Sequence, residues 1–183
     1  NLCEACLNDK KIKSNLYGEY NFENINASIA MGIHFNLSFE QIKNGIKNYI
    51  PKNNRSEMIR TKNNFIMADS YNANPTSMKV SIQSFMKLRD TKKILILGDM
   101  HEIGKTSIIE HQTILNYIKK NKDLKIFLVG KTFNQLKFNS ERIQFFYKTK
   151  ELISHLKKNL IMDCTILLKG SRKINLEKVI PFL

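Results

Sequence analysis

The chain of 183 residues contains no tryptophan, and it has only three prolines, seven glycines and three cysteines. Three cysteines do not make a disulfide framework. Cys3 and Cys6 have the C-x-x-C spacing of redox and zinc-binding pairs, but no second pair or neighbouring histidine completes a zinc site. We therefore expect a reduced, cytoplasmic protein.

Long apolar runs are also missing. No stretch approaches the roughly 20 apolar residues that a transmembrane helix needs, so no membrane span is expected. No signal peptide is visible at the start, where Asn1 stands instead of methionine. We therefore expect that the natural N-terminus lies further upstream. A hydrophobic content of 42% is typical of a globular protein.

Acidic residues are scarce, with 16 Asp and Glu against 30 Lys and Arg, which gives a net charge of +14. Such a charge raises the hypothesis of a basic nucleic-acid-binding domain, which would be retained on DNA or RNA in a salt-sensitive way. The lysines are spread along the chain, however, and no nucleic-acid-binding module is recognisable. Nucleic acid is therefore not expected as a partner, and the charge favours small anions such as nucleotides and UDP-sugars.

Two helices are predicted before Pro51. The first begins near Asn24, and the second begins at Ser38, where Gln41 three residues later completes a capping box. The polar segment 51–54 then interrupts the pattern, and we place a domain boundary there.

Beyond this boundary, apolar runs alternate with helical patterns. The expected strands are residues 56–61, 65–69, 93–97, 125–129, 143–146 and 164–168. The expected helices begin near Pro75, Thr106, Thr132, Thr149 and Ile174. This order predicts an α/β fold with a Rossmann-like, mostly parallel sheet flanked by helices. Ligands of such sheets bind at the carboxyl ends of the strands.

The most informative stretch, DSYNANPTSM, runs from Asp69 to Met78 between a predicted strand and a predicted helix. Asn74 is a good helix cap, and Pro75 suits the first helical turn. Free backbone N–H groups at a helix start attract anions. For a generic N-x-N-P sequence, the alternative is a role in building the turn alone.

Five segments of the chain together resemble the motifs of the Mur ligase family. They occur in the same order as in that family. They are Gly18–Asn24, Asn54–Met58, Asp69–Met78, Leu97–Gly104 and Leu168–Arg172. In the second segment Asn54 stands where the family usually has glycine. His111 follows the fourth segment at the expected distance, although a lone helical histidine is more often structural than catalytic.

The resemblance implies an ATP-dependent ligase that adds D-alanyl-D-alanine to UDP-N-acetylmuramoyl-tripeptide through an acyl phosphate, in peptidoglycan precursor synthesis. Residues 1–50 would be the helical end of the central ATP-binding domain, and residues 51–183 the C-terminal domain. The N-terminal domain and most of the central domain have no counterpart here. The Mg²⁺ ligands are therefore expected mainly outside this chain, no metal ligand is assigned within it, and the chain alone is expected to be inactive.

Arg55 is the candidate catalytic residue, because a guanidinium is a rigid clamp for phosphate oxygens and domain closure could bring it to a bound nucleotide. The resemblance implies nucleotide contacts for Arg55, Asn21, Asn24 and Asp69; helix capping is the alternative for Asp69 and the two asparagines. D-alanyl-D-alanine needs acceptors for its ammonium and donors for its carboxylate. The residues that would supply them are Asn72, Asn74, Asp99, Glu102, Lys169 and Ser171.

Gly98 and the Gly104-Lys105-Thr106 segment resemble a P-loop, but they are separated by one residue more than that motif has, so no P-loop is expected here. The alternative to the ligase that remains is a non-catalytic α/β module that binds an anionic, nucleotide-like ligand. A G-x-x-G-K-[ST] motif in an upstream part of the reading frame would favour the ligase.

Overall fold

An antiparallel hairpin and two helices open the computed structural model, which describes residues 2–7, 9–88 and 92–183. They are β1 (Leu2–Leu7), β2 (Lys10–Tyr17), α1 (Asn21–His34) and α2 (Phe39–Asn48). The sequence predicts the helices but not the hairpin, so a purely helical tail is wrong. The hairpin is inconspicuous because β2 is rich in lysine and buries only Ile12 and Ser14.

The capping box of α2 is confirmed. The backbone N–H of Gln41 donates to Ser38 Oγ at 3.3 Å, and that of Ser38 donates to Gln41 Oε1 at 2.8 Å. On β1, Cys3 and Cys6 are three residues apart, so their side chains point to opposite faces of the strand. This geometry does not suit a C-x-x-C pair that holds one metal ion or forms one disulfide.

Six strands form one sheet in the order β3-β4-β8-β5-β6-β7. They are β3 (Glu57–Arg60), β4 (Asn64–Asp69), β5 (Lys93–Gly98), β6 (Lys125–Val129), β7 (Ile143–Phe146) and β8 (Cys164–Lys169). Only β3 is antiparallel to its neighbour, so the predicted mostly parallel sheet is confirmed. The central strands are nearly continuous apolar runs because helices cover both faces of the sheet.

The helices after the hairpin of β3 and β4 are α3 (Pro75–Met86), α4 (Ser107–Lys119), α5 (Lys131–Gln135) and α6 (Thr149–Lys158). The expected α-helix from Ile174 to Phe182 is wrong. Two 3₁₀ segments, Arg172–Ile174 and Leu176–Phe182, replace it. Asn175 between them has a left-handed φ of +55°, and Pro181 cannot donate a helical hydrogen bond.

The alternation of side chains along the strands determines where the polar groups at their ends point. Met67 on β4 and Leu167 on β8 both pack in the apolar layer that includes Ile82 of α3. Asp69 and Lys169 lie two residues further on, so they point to the same face. The parallel register places Asp69 directly beside Lys169.

Strand β8 lies between β4 and β5, so the order of the strands reverses at this position. The loops that follow β4, β5 and β8 therefore meet at one edge of the sheet, which is where ligands bind in open α/β sheets. Within the described part of the chain, none of the helices has the length and apolar composition of a membrane span.

The domain boundary near residue 50 stays a prediction. Residues of the hairpin and the first two helices form an apolar cluster of their own, separate from the two clusters that flank the sheet: Ala5, Ile12, Ile25, Ile29 and Ile42. Hydrogen bonds also cross the boundary, since Tyr20 Oη lies 3.0 Å from Ser56 Oγ and Lys87 Nζ lies 2.6 Å from Glu19.

Candidate functional site

A cleft of about 1370 Å³ opens between the first two helices and the carboxyl edge of the sheet. Its sheet-side wall consists of the loop before β3, the ends of β4 and β8, and the start of α3. Seven of the residues that the sequence singled out line this cleft: Asn21, Asn24, Arg55, Asp69, Asn72, Asn74 and Lys169.

A buried ion pair stands at the base of the cleft. Lys169 Nζ donates to Asp69 Oδ2 at 2.6 Å, and Ser81 Oγ donates to the same oxygen at 3.1 Å. The Lys169 side chain is only 2% exposed, whereas that of Asp69 is 15% exposed. Asp69 therefore presents its remaining accessible surface to the cleft, and Lys169 fixes the position of its side chain.

Asp69 does not cap helix α3. The cap of α3 is Asn74, whose Oδ1 accepts from the backbone N–H of Ser77 at 2.8 Å. Asp69 Oδ1 instead accepts from the backbone N–H of Ser56 at 3.3 Å. Asp69 is thus free of a capping role, and it connects β4 to the loop before β3.

Ser56 joins the two sides of the cleft. Its hydroxyl lies 3.0 Å from Tyr20 Oη and 3.4 Å from the amide nitrogen of Asn21. Burial is the main cause that raises the pKa of the Tyr20 hydroxyl, and the nearby charge of Asp69 adds to it. Tyr20 therefore stays protonated and can donate across this contact.

The two asparagines of α1 differ in what they can offer a ligand. Asn21 is buried, and its amide nitrogen donates to the carbonyl of Tyr17 at 2.7 Å while its Oδ1 accepts from Asn24 at 3.0 Å. Asn24 is exposed on the cleft wall, and its own Oδ1 takes part in no hydrogen bond among the described residues. Asn21 therefore orients Asn24, and Asn24 is the better candidate for direct contact.

Arg55 lies at the mouth of the cleft, stacked on an aromatic ring. Its guanidinium carbon is 3.6 Å from the ring centroid of Tyr71. Hydrogen bonding to Arg55 and the charges of Arg55 and Arg172 lower the pKa of the Tyr71 hydroxyl. The stacking holds an exposed guanidinium in one orientation without neutralising it.

The backbone around Arg55 explains the unusual Asn54. Asn53, Asn54 and Ser56 all have left-handed φ angles, of 59°, 57° and 51°. Glycine adopts this region at no steric cost, and asparagine is among the residues that tolerate it best. Asn54 therefore fits this turn at the position where the resemblance leads us to expect glycine.

Asn72 and Asn74 are exposed in the loop between β4 and α3. Asn72 Oδ1 accepts from the neighbouring backbone N–H of Ala73 at 2.8 Å, and Asn74 forms a reciprocal cap with Ser77. Both side chains mainly shape the loop, although the amide nitrogens remain available to a ligand in the cleft.

Asp99 does not line the cleft. Its side chain is 2% exposed, and its two oxygens accept from the backbone N–H groups of Thr132 and Phe133 at 2.8 and 2.9 Å. It thus accepts hydrogen bonds from backbone N–H groups in the first turn of α5. A substrate could reach this carboxylate only by displacing those bonds, so the geometry does not favour the predicted contact with substrate.

Ser171 and Glu102 also lie outside the cleft wall. Ser171 is buried; its Oγ accepts from the backbone N–H of His101 at 2.8 Å and its own N–H donates to the carbonyl of Asp99 at 3.0 Å. The hydroxyl also lies 3.5 Å from the carbonyl of Ala73, so Ser171 ties together the loops after β4, β5 and β8. Glu102 is exposed, with a left-handed φ of 64°.

His111 is structural, as its position on a helix suggested. Its Nε2 accepts from the backbone N–H of Met100 at 2.9 Å, and its Nδ1 lies 2.7 Å from the carbonyl of Ser107. These partners require a neutral ring protonated on Nδ1. Burial lowers the pKa of His111, against the opposing effects of the Ser107 carbonyl and the Asp99 charge.

We therefore expect stability to fall on acidification. Below an ordinary histidine pKa of about 6.5, the unfolded chain binds a proton that the folded chain resists, so stability present above that pH is lost below it. Urea unfolding between neutral and mildly acidic pH should show a smaller loss in His111→Gln than in the parent chain. The exposed His34→Gln should keep the parent dependence; equal dependences in all three proteins would refute this role.

Among residues 2–7, 9–88 and 92–183, no group of three or more His, Cys, Asp or Glu side chains is arranged to hold a metal ion. The cleft offers amides, the two carboxylates of Asp69 and Glu23, and two cationic side chains, a set suited to ribose hydroxyls and phosphate oxygens.

Sequence reasoning missed four residues of the site: Tyr20, Ser56, Tyr71 and Ser81. Three of them belong to the segments that carried the family resemblance, so a signal for them was present. Ser81 lies inside α3 and has no local signal, since only its approach to Asp69 distinguishes it from any helical serine.

The family model described as "Mur ligase, glutamate ligase domain" matches residues 54–172, which is more than half of the chain. The chain belongs to the Mur ligase family. The match covers the sheet and the three loops at its carboxyl edge. The structural neighbours agree, because a crystal structure of MurF from Acinetobacter baumannii superposes with a TM-score of 0.80 at 25% identity, over 94% of this chain and 39% of that one.

Two curated relatives bear the name UDP-N-acetylmuramoyl-tripeptide--D-alanyl-D-alanine ligase. The protein of Buchnera aphidicola subsp. Baizongia pistaciae is 33% identical over 92% of this chain, and that of Bacillus subtilis is 33% identical over 92%. This Mur ligase chain spans only 37% and 38% of their lengths. A Thermotoga maritima MurF ligase, solved in complex with ADP, shares the fold with a TM-score of 0.80 at 20% identity, over 99% of this chain and 42% of that one.

Proposed function

We propose that the chain is part of a cytoplasmic, ATP-dependent ligase that joins D-alanyl-D-alanine to UDP-N-acetylmuramoyl-tripeptide. The relatives of that name support the substrates, and the ADP complex of the Thermotoga protein supports the nucleotide. The observation that carries the proposal is the cleft in which Arg55 stands above the Asp69–Lys169 pair. A cation and an oriented carboxylate are the groups that a nucleotide requires on one wall of its site.

We propose that residues 1–50 end the central ATP-binding domain and that residues 51–183 form the C-terminal domain. The separate apolar cluster of the hairpin and first two helices supports this division. The rest of the central domain and the N-terminal domain would close the cleft from the other side. They would also carry most of the ligands of Mg²⁺.

The side chains of this chain would divide the work as follows. Asn24 hydrogen-bonds the base, with Asn21 behind it, and Asp69 accepts from the ribose hydroxyls. Arg55 binds phosphate oxygens and stabilises the negative charge that grows on them during transfer. Bound ATP would supply the γ-phosphoryl group that activates the tripeptide carboxylate, with ADP as the leaving group. The amine of D-alanyl-D-alanine then attacks the acyl carbon, phosphate leaves as the amide bond forms, and the amine proton goes to solvent.

The second substrate would meet the rim formed by the loops after β4, β5 and β8. Asn72 and Asn74 have amide donors there, and exposed Glu102 has an acceptor for an ammonium group. Asp99 and Ser171 contribute by fixing the loops rather than by touching substrate. Lys169 acts through Asp69, since its ammonium group is buried against that carboxylate.

The proposal is tested by joining this chain to the missing domains, supplied by its own upstream reading frame or by the corresponding part of the Bacillus subtilis relative. With ATP, Mg²⁺ and both substrates, the joined protein should form UDP-N-acetylmuramoyl-pentapeptide, detected by mass. The 183-residue chain alone should form none. A folded joined protein without product, or phosphate release by the chain alone that depends on D-alanyl-D-alanine, would contradict the proposal.

Arg55→Ala in the joined protein should lower kcat at least about 100-fold, because a donor aimed at developing phosphate charge is lost. The matched control is Arg60→Ala, which removes an exposed arginine at the far end of β3. Turnover should be unchanged in that control. Turnover of Arg55→Ala equal to that of the control would remove Arg55 from the mechanism.

A further inference from the structure

Two guanidinium groups converge on the ring of Tyr71. The guanidinium carbon of Arg55 lies 3.6 Å from the ring centroid, and that of Arg172 lies 5.5 Å from it. Arg55 precedes β3, Tyr71 follows β4, and Arg172 follows β8. Three separate loops therefore build this cluster, which we call the Arg55–Tyr71–Arg172 clamp.

Neither arginine of the clamp has a countercharge among the residues that the structure describes. In the described ranges, neither makes an ion pair, and their side-chain interactions are those with Tyr71. Two acidic residues close to these loops in sequence are engaged elsewhere: Glu57 accepts from the backbone N–H of Asn54 at 3.0 Å, and Asp69 is paired with Lys169. Two like charges that share one aromatic ring repel each other, and a bound anion would relieve that repulsion.

The electrostatic environment of the Tyr71 ring also favours a bound anion. Both guanidiniums lower the pKa of the exposed Tyr71 hydroxyl, so the local potential already favours negative charge at this position. Stacking on the ring limits the orientations of the arginines, and less rotamer freedom is then lost when a ligand binds. An arginine fork matches the paired oxygens of phosphate and carboxylate groups.

We propose that Arg172, together with Arg55 and Tyr71, forms a binding site for one oxyanion group, in which both guanidiniums hold the same phosphate or carboxylate. Arg172 is thereby assigned as a ligand-binding residue. The proposal rests on the proposed function only in naming the two sources of that group, which are a phosphate of the nucleotide and the carboxylate of the dipeptide.

The clamp is tested on the 183-residue chain by NMR titration, observing the Nε–H signals of Arg55 and Arg172 and the ring-carbon signal of Tyr71 beside its hydroxyl. The probes are pyrophosphate, D-alanyl-D-alanine and D-alanyl-D-alanine amide, which lacks the carboxylate. Both arginine signals should shift along one binding curve. Bound anion should also raise the pKa of Tyr71 back toward its ordinary value.

Arg172→Gln should weaken the affinity for the effective probe at least about tenfold, the usual effect of losing a charge-assisted hydrogen bond. Lys173→Gln is the matched control, because it removes the same charge from the adjacent exposed residue and should have little effect. Arg172→Lys keeps the charge but loses the fork, so it should restore only part of the affinity.

The outcomes distinguish the two sources of the bound group, and they test the clamp separately from the proposed function. Binding of pyrophosphate identifies a phosphate site, whereas binding of the dipeptide but not of its amide identifies a carboxylate site. Equal effects of Arg172→Gln and Lys173→Gln, or no shift of the arginine signals with any probe, would overturn the clamp. If the clamp fails this test, product formation by the joined ligase would still support the proposed function. If the clamp binds an anion but the folded joined protein forms no product, only the proposed ligase function is contradicted.

Discussion

Asp69→Asn is expected to lower the free energy of unfolding by about 3–5 kcal/mol, because it leaves the Lys169 ammonium buried without a countercharge. Lys169 is 2% exposed, so water cannot replace the lost carboxylate. Lys169→Met should cost less than this, since Asp69 is more exposed and keeps its bonds from Ser56 and Ser81. The double variant should be more stable than Asp69→Asn, because no unpaired buried charge remains.

The chain contains a matched control for this pair. Lys87 and Glu19 lie at the same 2.6 Å separation, but their side chains are 63% and 77% exposed. Glu19→Gln should therefore cost at most about 1 kcal/mol, since exposed ion pairs contribute little. Urea unfolding of the single and double variants gives the coupling energy. An Asp69→Asn variant no less stable than Glu19→Gln would show that the buried pair does not hold this edge of the sheet together.

Gly130→Ala is expected to destabilise the fold by at least about 3 kcal/mol, through steric overlap combined with backbone strain. Gly130 has a φ of +135°, and a Cβ atom there would lie 2.2 Å from Cγ of Asp99. The Asp99 carboxylate cannot retreat without losing its bonds from Thr132 and Phe133. The change should therefore also disturb the loops at the candidate site.

Two other glycines allow the steric contribution to be separated from the contribution of backbone strain. Gly104 has a φ of +71° but no neighbour within 4 Å, so Gly104→Ala should cost only the backbone term of about 1–2 kcal/mol. Gly45 is exposed within α2, with no neighbour within 4 Å, and Gly45→Ala should stabilise by about 0.5–1 kcal/mol. Thermal or urea unfolding measures all three variants. A Gly130→Ala variant as stable as Gly104→Ala would show that Asp99 is free to move.

Local rules predicted much of the architecture, because several elements carry unambiguous signals. The Ser38 capping box, the Asn74 cap with Pro75 and the apolar run of Ile143–Phe146 each begin where the sequence indicates. The hairpin of β1 and β2 was missed, since its strands bury few apolar side chains. The prediction of a C-terminal α-helix is wrong because the left-handed Asn175 interrupts it, and no local pattern required that conformation.

The site was predictable only in part. Proximity of Asp69 and Lys169 follows from the parallel register of β4 and β8, but the register itself cannot be derived from either strand alone. Sequence position likewise put Asp99 and Ser171 in the right loops. Whether a polar side chain faces a cleft or satisfies a neighbouring backbone depends on contacts distant in sequence. The partners of Asp99 are more than thirty residues away, and this explains why its role differs from the expected one.

An NMR titration of the 183-residue chain with ADP tests most directly whether the cleft beside α1 is the nucleotide site. A basic pocket at the opposite, amino edge of the sheet provides an internal comparison, since Arg60, Lys62 and Lys92 line it. We expect the backbone amide shifts to change at Asn24, Arg55 and Asp69 and to stay constant around that pocket. Changes confined to the basic pocket, with none in the cleft, would contradict the assignment of the site.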